Sequence, residues 1–440
     1  MALRIVASRP DPAIVGLPWS TSLEEWGDEY VVPLPRGLSR HVVRIIGLGS
    51  KVYAVKETQE PMATREYRLL RDLHRIGLPA VAPQAVVAGR VDAEGNELPA
   101  ALVTEHLAFS LPYRSLFTRG FSADNVPLLV DAMVVLLVRL HLAGFYWGDV
   151  SLSNVLFRRA AGAFAAYLVD AETGELRPSL SDGMRHNDVT VATENVFAEL
   201  LDVAADDSVE TEFGPFEVIE MLEARYAALW TELTAEETFS ASEMWRIEQR
   251  IERLNDLGFD VDELDIITDF DGDSIRIQPR VVELGHHRRE LQGLTGLAVE
   301  DNQARRLLND IASFAASHDL GREDRMLVAA RWMNNVYEPI MAMVPADYRG
   351  KLEQAEIYHE ILVHRWYLSE RANFEISIFD AARDFIDTHL SRRRDEALAS
   401  IAEELEAHSM TDSMTDSTAN STANSMTNGL AVPATDADPS

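Results

Sequence analysis

Lys56 closes the segment Val52-Tyr53-Ala54-Val55-Lys56, and ten residues later Glu66 falls in a helix-spaced apolar pattern of Met62, Ala63, Leu69, Leu70 and Leu73. A carboxylate on an apolar helix face needs a partner, because burying it unpaired costs several kcal/mol. Strand alternation puts Lys56 on the same face as Ala54, beneath the strands, so Lys56 is the expected partner. The plainer alternative is a Glu on an exposed helix edge. A second cluster is His141-Leu-Ala-Gly-Phe-Tyr-Trp-Gly-Asp149-Val-Ser-Leu-Ser-Asn154, which follows an apolar helix and precedes a hairpin. Phosphoryl transfer to a hydroxyl uses an Asp and an Asn in such a loop. The carboxylate orients or accepts the proton of the attacking oxygen, and the amide oxygen holds a metal. Asp170 ends the apolar run Ala165 to Val169. A carboxylate at a strand end beside that loop can bridge a divalent cation to phosphate oxygens.

These residues need elements to bring them together. Tyr30 to Leu34, Arg40 to Ile46 and Lys51 to Glu57 are rich in Val, Ile and Tyr, and are separated by Pro35-Arg36-Gly37 and Gly47-Leu48-Gly49-Ser50. They read as a three-stranded antiparallel meander. A helix is expected from Pro61 to Ile76, with Pro at its start and Gly77 at its end. Ala100 to Leu107 reads as a strand, Val126 to Leu142 as a long apolar helix, and Val155 to Phe157 with Phe164 to Val169 as a short hairpin. Beyond about residue 210 the pattern is helical to about His408, except for a hairpin of Leu264 to Thr268 and Ser274 to Val282 around Asp271-Gly272-Asp273. From Ser409 the chain is low-complexity and is expected to be disordered.

The order strand-Lys, helix-Glu, Gly-Asp-x-x-x-x-Asn, strand-Asp resembles the protein-kinase-like superfamily, nearer to its lipopolysaccharide (Kdo), sugar and small-molecule kinases than to Ser/Thr kinases. The resemblance covers about residues 28 to 210. The whole chain also resembles a group of actinobacterial proteins whose helical rear half is a domain of unknown function. The fold class this implies is α+β: a two-lobed kinase-like domain with an antiparallel N-lobe sheet and a helical C-lobe, then a mainly α-helical domain with one β-hairpin, then the tail. The expected divisions are 1–27 as an irregular extension, 28–210 as the nucleotide-binding domain, 211–408 as the helical domain and 409–440 as the tail. The resemblance implies ATP and Mg2+ as cofactors. It places Lys56 on the α/β-phosphates paired with Glu66, Asp149 as catalytic base, and Asn154 and Asp170 as magnesium ligands. It places an adenine pocket at Thr104-Glu105-His106-Leu107, with Glu105 and Leu107 as its cofactor-binding residues. The acceptor it implies is a hydroxyl of a small molecule, sugar or lipid-linked glycan.

The sequence also departs from that pattern. Trp147 and Gly148 precede Asp149 where protein kinases have His-Arg, and Asp170 is followed by Ala-Glu-Thr-Gly rather than Phe-Gly. No long activation segment follows. The stretch Pro35 to His41 is the nearest stand-in for a glycine-rich loop. These departures keep open a second reading, a pseudokinase that binds nucleotide and meets a protein partner through its helical domain, and a third in which function resides in the rear domain alone.

Composition narrows the classes further. A formal charge of −32 repels phosphate backbones, so nucleic acid is not an expected partner. The chain has no cysteine, which excludes disulfides, thiolate nucleophiles and Cys-ligated metals. Asp131 and Arg139 within Val126 to Trp147 suit a buried helix better than a membrane span, and the expected setting is cytoplasmic. Among weaker signals, Asp269 to Asp273 reads as a hairpin turn rather than a calcium loop. Glu356-Ile-Tyr-His359 has the spacing of a di-iron ligand pair without a second copy, and reads as a polar helix face. Arg276, Arg280, His286, His287, Arg288 and Arg289 form a basic island, either paired with nearby acids or a phosphate site.

Overall fold

The computed structural model describes residues 2–8, 11–27, 30, 42–49, 51–118, 125–205, 213–235 and 285–397, with short stretches between 237 and 284. Most of the expected first strand (31–34), the 35–41 stretch, the Asp269–Asp273 turn and the tail from Ser409 lie outside these residues.

The strands β1 (Arg4–Ala7), β2 (Val43–Leu48), β3 (Lys51–Thr58), β4 (Pro83–Ala88) and β5 (Ala100–Glu105) form one antiparallel sheet in the order β1-β4-β5-β3-β2. Alternation gives the sheet two apolar faces. On one lie Val86, Ala88, Ala100 and Leu102, packed with Ala63, Tyr67, Leu70 and Leu73 of the helix Glu60–Arg75. On the other lie Tyr53, Val55, Ala85, Val87, Ala101 and Val103. That second face cannot stay wet, and the N-terminal segment covers it with Ile14, Leu17, Trp19, Leu23 and Trp26. The expected irregular extension is therefore part of the lobe. It is bolted there by buried Arg90, which pairs with Glu57 at 2.6 Å and donates to the carbonyls of Trp19, Thr21 and Pro99.

The C-terminal lobe is built on the helix Asn125–Leu142, whose length and composition would allow it to cross a membrane. Here it is the central core helix, with Leu129, Met133, Leu136, Leu137 and Leu140 all buried. Against it lie the hairpin β8 (Val155–Arg159) and β9 (Phe164–Leu168) and the helix Pro215–Thr234, on which the helix Asp182–Ala204 packs in turn; the short strands β6 (Ser110–Pro112) and β7 (Phe145–Tyr146) belong to the same lobe. Val218, Leu222, Tyr226, Leu229 and Leu233 belong to the same core cluster, so this lobe continues past residue 210 through the helix Pro215–Thr234. The lobes meet where the turn after the first long helix pairs with β9: Val81 N donates to Leu168 O, and Leu168 N to Pro79 O, each at 3.0 Å.

The rear region has its own core around Trp332, Tyr337, Ile340, Tyr358, Ile361 and Phe385, gathered from helices between His286 and Thr388. Its expected hairpin, Glu263–Thr268 with Ser274–Arg280, is extended by a third strand, Glu237–Ser240. Glu-Thr-Phe-Ser holds a single apolar residue, so the sequence offers no alternation there.

Candidate active site

Lys56 emerges from β3 on the face that meets the helix Glu60–Arg75, and its ammonium lies 3.2 Å from Glu66 Oε2, 2.6 Å from Asp170 Oδ2 and 3.0 Å from Glu172 Oε2. Glu66 is buried, as its apolar helix neighbours require. Burial alone would lower the Lys56 ammonium, but the charges of Glu66 and Asp170 outweigh it and hold the group above its ordinary range. Burial, and then the charge of Asp170, push the Glu66 carboxyl up against the opposing pull of Lys56. Around both groups three carboxylates share one ammonium, so an excess of negative charge raises Lys56 against its burial and adds to the burial of Glu66.

Glu172 is a member that the sequence reading missed. Its signal was present in the Ala-Glu-Thr-Gly run after Asp170, which stood out only as a departure. The run forms a tight turn that ties the two lobes together. Glu172 N donates to Asp170 Oδ1 at 2.8 Å, Gly174 N donates to Ala171 O at 3.0 Å, and Thr173 Oγ1 donates to Trp147 O at 2.8 Å. From the N-lobe helix, Arg65 donates to the carbonyls of Glu172 at 3.2 Å and Gly174 at 2.8 Å. Gly174 is required by space: a Cβ there would stand 2.2 Å from the Phe145 ring.

Asp149 and Asn154 lie on the loop between β7 and β8. The side chain of Asn154 donates to Asp149 O at 3.1 Å and to Asp149 Oδ2 at 3.3 Å. Asn154 O accepts from Val169 N at 3.0 Å, so Asn154 and Asp170 flank the same end of the hairpin. Trp147 is fully buried beneath the loop, and its indole N–H donates to Asp170 O at 3.2 Å. Trp147 points into the core and supports the Asp170 strand end rather than obstructing the loop.

The loop is held by one face of the helix Asp182–Ala204, through residues spaced seven and four apart. Fully buried Asp188 accepts from Trp147 N and Gly148 N, both at 2.8 Å, and from His141 at 3.1 Å. Asn195 donates to Asp149 Oδ1 at 3.3 Å and Val150 O at 3.0 Å. Glu199 accepts from Leu152 N at 2.7 Å and Ser153 N at 2.9 Å. Gly148 has φ of 78°, a left-handed conformation suited to glycine, which lets its N–H face Asp188. None of these three anchors was singled out from sequence, because a polar helix face ordinarily means solvent.

Glu105 and Leu107 sit on the linker between the lobes. Glu105 N donates to Ala82 O at 2.8 Å and its carboxylate accepts from Gln84 at 2.9 Å, while Leu107 O accepts from Ser110 Oγ at 2.6 Å. The basic island is in part paired with nearby acids: His287 lies 3.3 Å from Asp301 and His286 lies 3.8 Å from Glu290. Glu356 of the E-x-x-H spacing is buried and accepts from Ala161 N and Gln303. Among the described residues the group with metal-ligand spacing is instead Glu66, Asp170 and Glu172, whose ligand atoms lie within 4.8 Å of one another.

Residues 44–190 match the Lipopolysaccharide kinase (Kdo/WaaP) family, and residues 228–390 match a Domain of unknown function (DUF4032). Each match spans less than half of the chain. No curated protein matches it. Among solved structures it is similar to WaaP in complex with acyl carrier protein, at 17% identity and a TM-score of 0.33, over 58% of this chain and 99% of that one. The kinase-like match thus lies in the front half of the chain and the match to the domain of unknown function in the rear half.

Proposed function

We propose that the chain is an ATP- and Mg2+-dependent phosphotransferase that acts on a hydroxyl of a small molecule, sugar or lipid-linked glycan in the cytoplasm. The observation that supports it most is the convergence of Lys56, Glu66 and Asp170, from separate elements of both lobes, within 3.2 Å contacts of one ammonium. In this reading Glu66 holds Lys56, and Lys56 binds the α- and β-phosphate oxygens. The linker at Glu105 and Leu107 receives the adenine. Asp149, steadied by Asn154 and Asn195, takes the proton of the acceptor hydroxyl as its oxygen bonds to the transferred phosphorus and the bond to the departing ADP oxygen breaks. Positioning and charge stabilisation then supply most of the rate.

The donor chemistry fits magnesium, since Asn154 offers an amide oxygen, Asp170 a carboxylate, and the surroundings carry excess negative charge. When bound by those two residues, the ion would neutralise phosphate charge. The test is ATP binding by calorimetry and thermal shift, with and without magnesium, on the wild type and Asp170→Asn. Magnesium-dependent stabilisation that Asp170→Asn abolishes supports the reading and justifies an acceptor screen. No binding in either condition overturns it.

Glu172 favours one alternative. Its carboxylate occupies Lys56 alongside Asp170 and would compete with phosphate for the ammonium. A pseudokinase that binds nucleotide, with the helical domain meeting a protein partner, is therefore the second reading. Nucleotide binding without transfer to any acceptor in a broad panel would favour it.

A further inference from the structure

The hairpin that follows Asn154 and ends just before Asp170 is gripped at its far end by the helical module. Arg158 of β8 reaches Glu300 at 2.9 Å and Glu353 at 2.7 Å. Tyr167 of β9 donates its hydroxyl to the same Glu300 oxygen at 2.7 Å. Arg159 Nε spans both oxygens of Glu396, at 2.9 Å and 3.1 Å. At the hairpin tip Ala161 N donates to Glu356 at 2.9 Å, and Gln303 ties Glu356 to the carbonyl of Arg159. Glu300 and Gln303 also form the capping box of the helix Asp301–Ser317, so the anchor is fixed to a rigid element.

Location separates this network from surface decoration. Glu300, Gln303 and Glu356 are buried, with 5%, 1% and 3% of their surface exposed. Exposed ion pairs contribute little, but a buried network is satisfied in one geometry and costly when partly broken. The hairpin already pairs with β6 and packs on the helix Asn125–Leu142, and the clamp adds a separate hold at the end away from Asn154 and Asp170. Arg158 stands four residues from Asn154, about 13 Å along a strand. A tilt at the clamp is carried to Asn154 and Asp170, where misplacement by about 1 Å can cost about 10²-fold in rate.

We propose that the helical module is a positioning element for the site: through Arg158 and Tyr167 it sets the hairpin, and with it the placing of Asn154 against Asp170. This rests on the phosphotransferase reading for its kinetic readout alone. The experiment compares full-length wild type, Arg158→Met, Arg158→Lys and Tyr167→Phe. Two measurements are made: hydrogen exchange at the Val155 and Val169 amides without ligand, and turnover with magnesium-ATP. Arg158→Met is expected to speed exchange at both amides by about tenfold, leaving amides of the helix Glu60–Arg75 unchanged. It is expected to lower kcat by about tenfold or more with little change in KM for nucleotide, and Arg158→Lys to recover part of both effects. Unchanged exchange at Val155 and Val169 in a folded Arg158→Met protein overturns the proposal. Should Arg158→Met fail to fold, Tyr167→Phe, which removes one oxygen, is read the same way, with about a threefold change expected. Absence of wild-type turnover would count against the phosphotransferase reading, while the exchange data would still decide the positioning role.

Discussion

Replacing Asp188 by alanine should release the loop that carries Asp149. The carboxylate is fully buried and accepts two backbone N–H groups at 2.8 Å, with His141 as a third contact at 3.1 Å. Hydrogen bonds to a buried charge contribute about 1.5–3 kcal/mol each, so the two backbone bonds together are worth about 3–6 kcal/mol before relaxation. Buried donors left without a partner cost about 1–3 kcal/mol each, so the two N–H groups give a similar total. We expect a loss of about 3–5 kcal/mol in the stability of the C-terminal lobe. At a urea dependence of about 3 kcal/mol per molar, the midpoint falls by about 1–1.7 M. Trp147 is a built-in reporter, being fully buried between the loop and Asp170. Fluorescence-monitored urea unfolding measures the shift, and exchange at the Trp147 and Gly148 amides localises it. A wild-type midpoint together with unchanged exchange at those two amides would refute the claim that Asp188 holds the loop.

Asp149→Ala should reduce turnover by about 10²–10⁴-fold while leaving nucleotide affinity near wild type, measured by steady-state kinetics and calorimetry; full turnover would sink its role as base. Arg65→Met removes two bonds to the turn after Asp170, and should lower kcat by about tenfold or more at nearly constant acceptor KM; equal loss in a mutant of exposed Arg68 would show the effect to be nonspecific. The His287–Asp301 pair gives a signed pH dependence. The hydrogen bond to Asp301 raises His287 above its ordinary 6.5, against its burial. Burial would raise Asp301, but its bond to His287 prevails and holds it below 3.8. The pair's contribution is therefore complete between about pH 4 and 6.5, and fades above that window as His287 deprotonates and below it as Asp301 protonates. Thermal denaturation across pH should show that His287→Ala removes this dependence, by no more than about 1 kcal/mol.

Much of the candidate site's geometry was legible because its residues lie at short spacings. Lys56 and Glu66 are related by one strand and one helix, and a carboxylate on an apolar helix face already demands its partner. Asp149 and Asn154 lie within one loop, and the hairpin that follows returns Asp170 beside them. The kinase-like α+β architecture of the front half could be read from those elements in that order.

Tertiary structure alone decided what holds these groups and what surrounds them. Asp188, Asn195 and Glu199 look like a solvated helix stripe in sequence, and become loop anchors only once that helix is packed against 147–154. The N-terminal segment looked irregular because its residues answer to the far face of a sheet whose strands lie dozens of residues away. Glu172 met Lys56, and Glu300 met Arg158, across separations of more than a hundred residues. Periodicity reports which face of an element is buried, because burial repeats with the backbone. It carries nothing about which distant element buries that face, since long-range pairing is set by the summed packing of the whole chain.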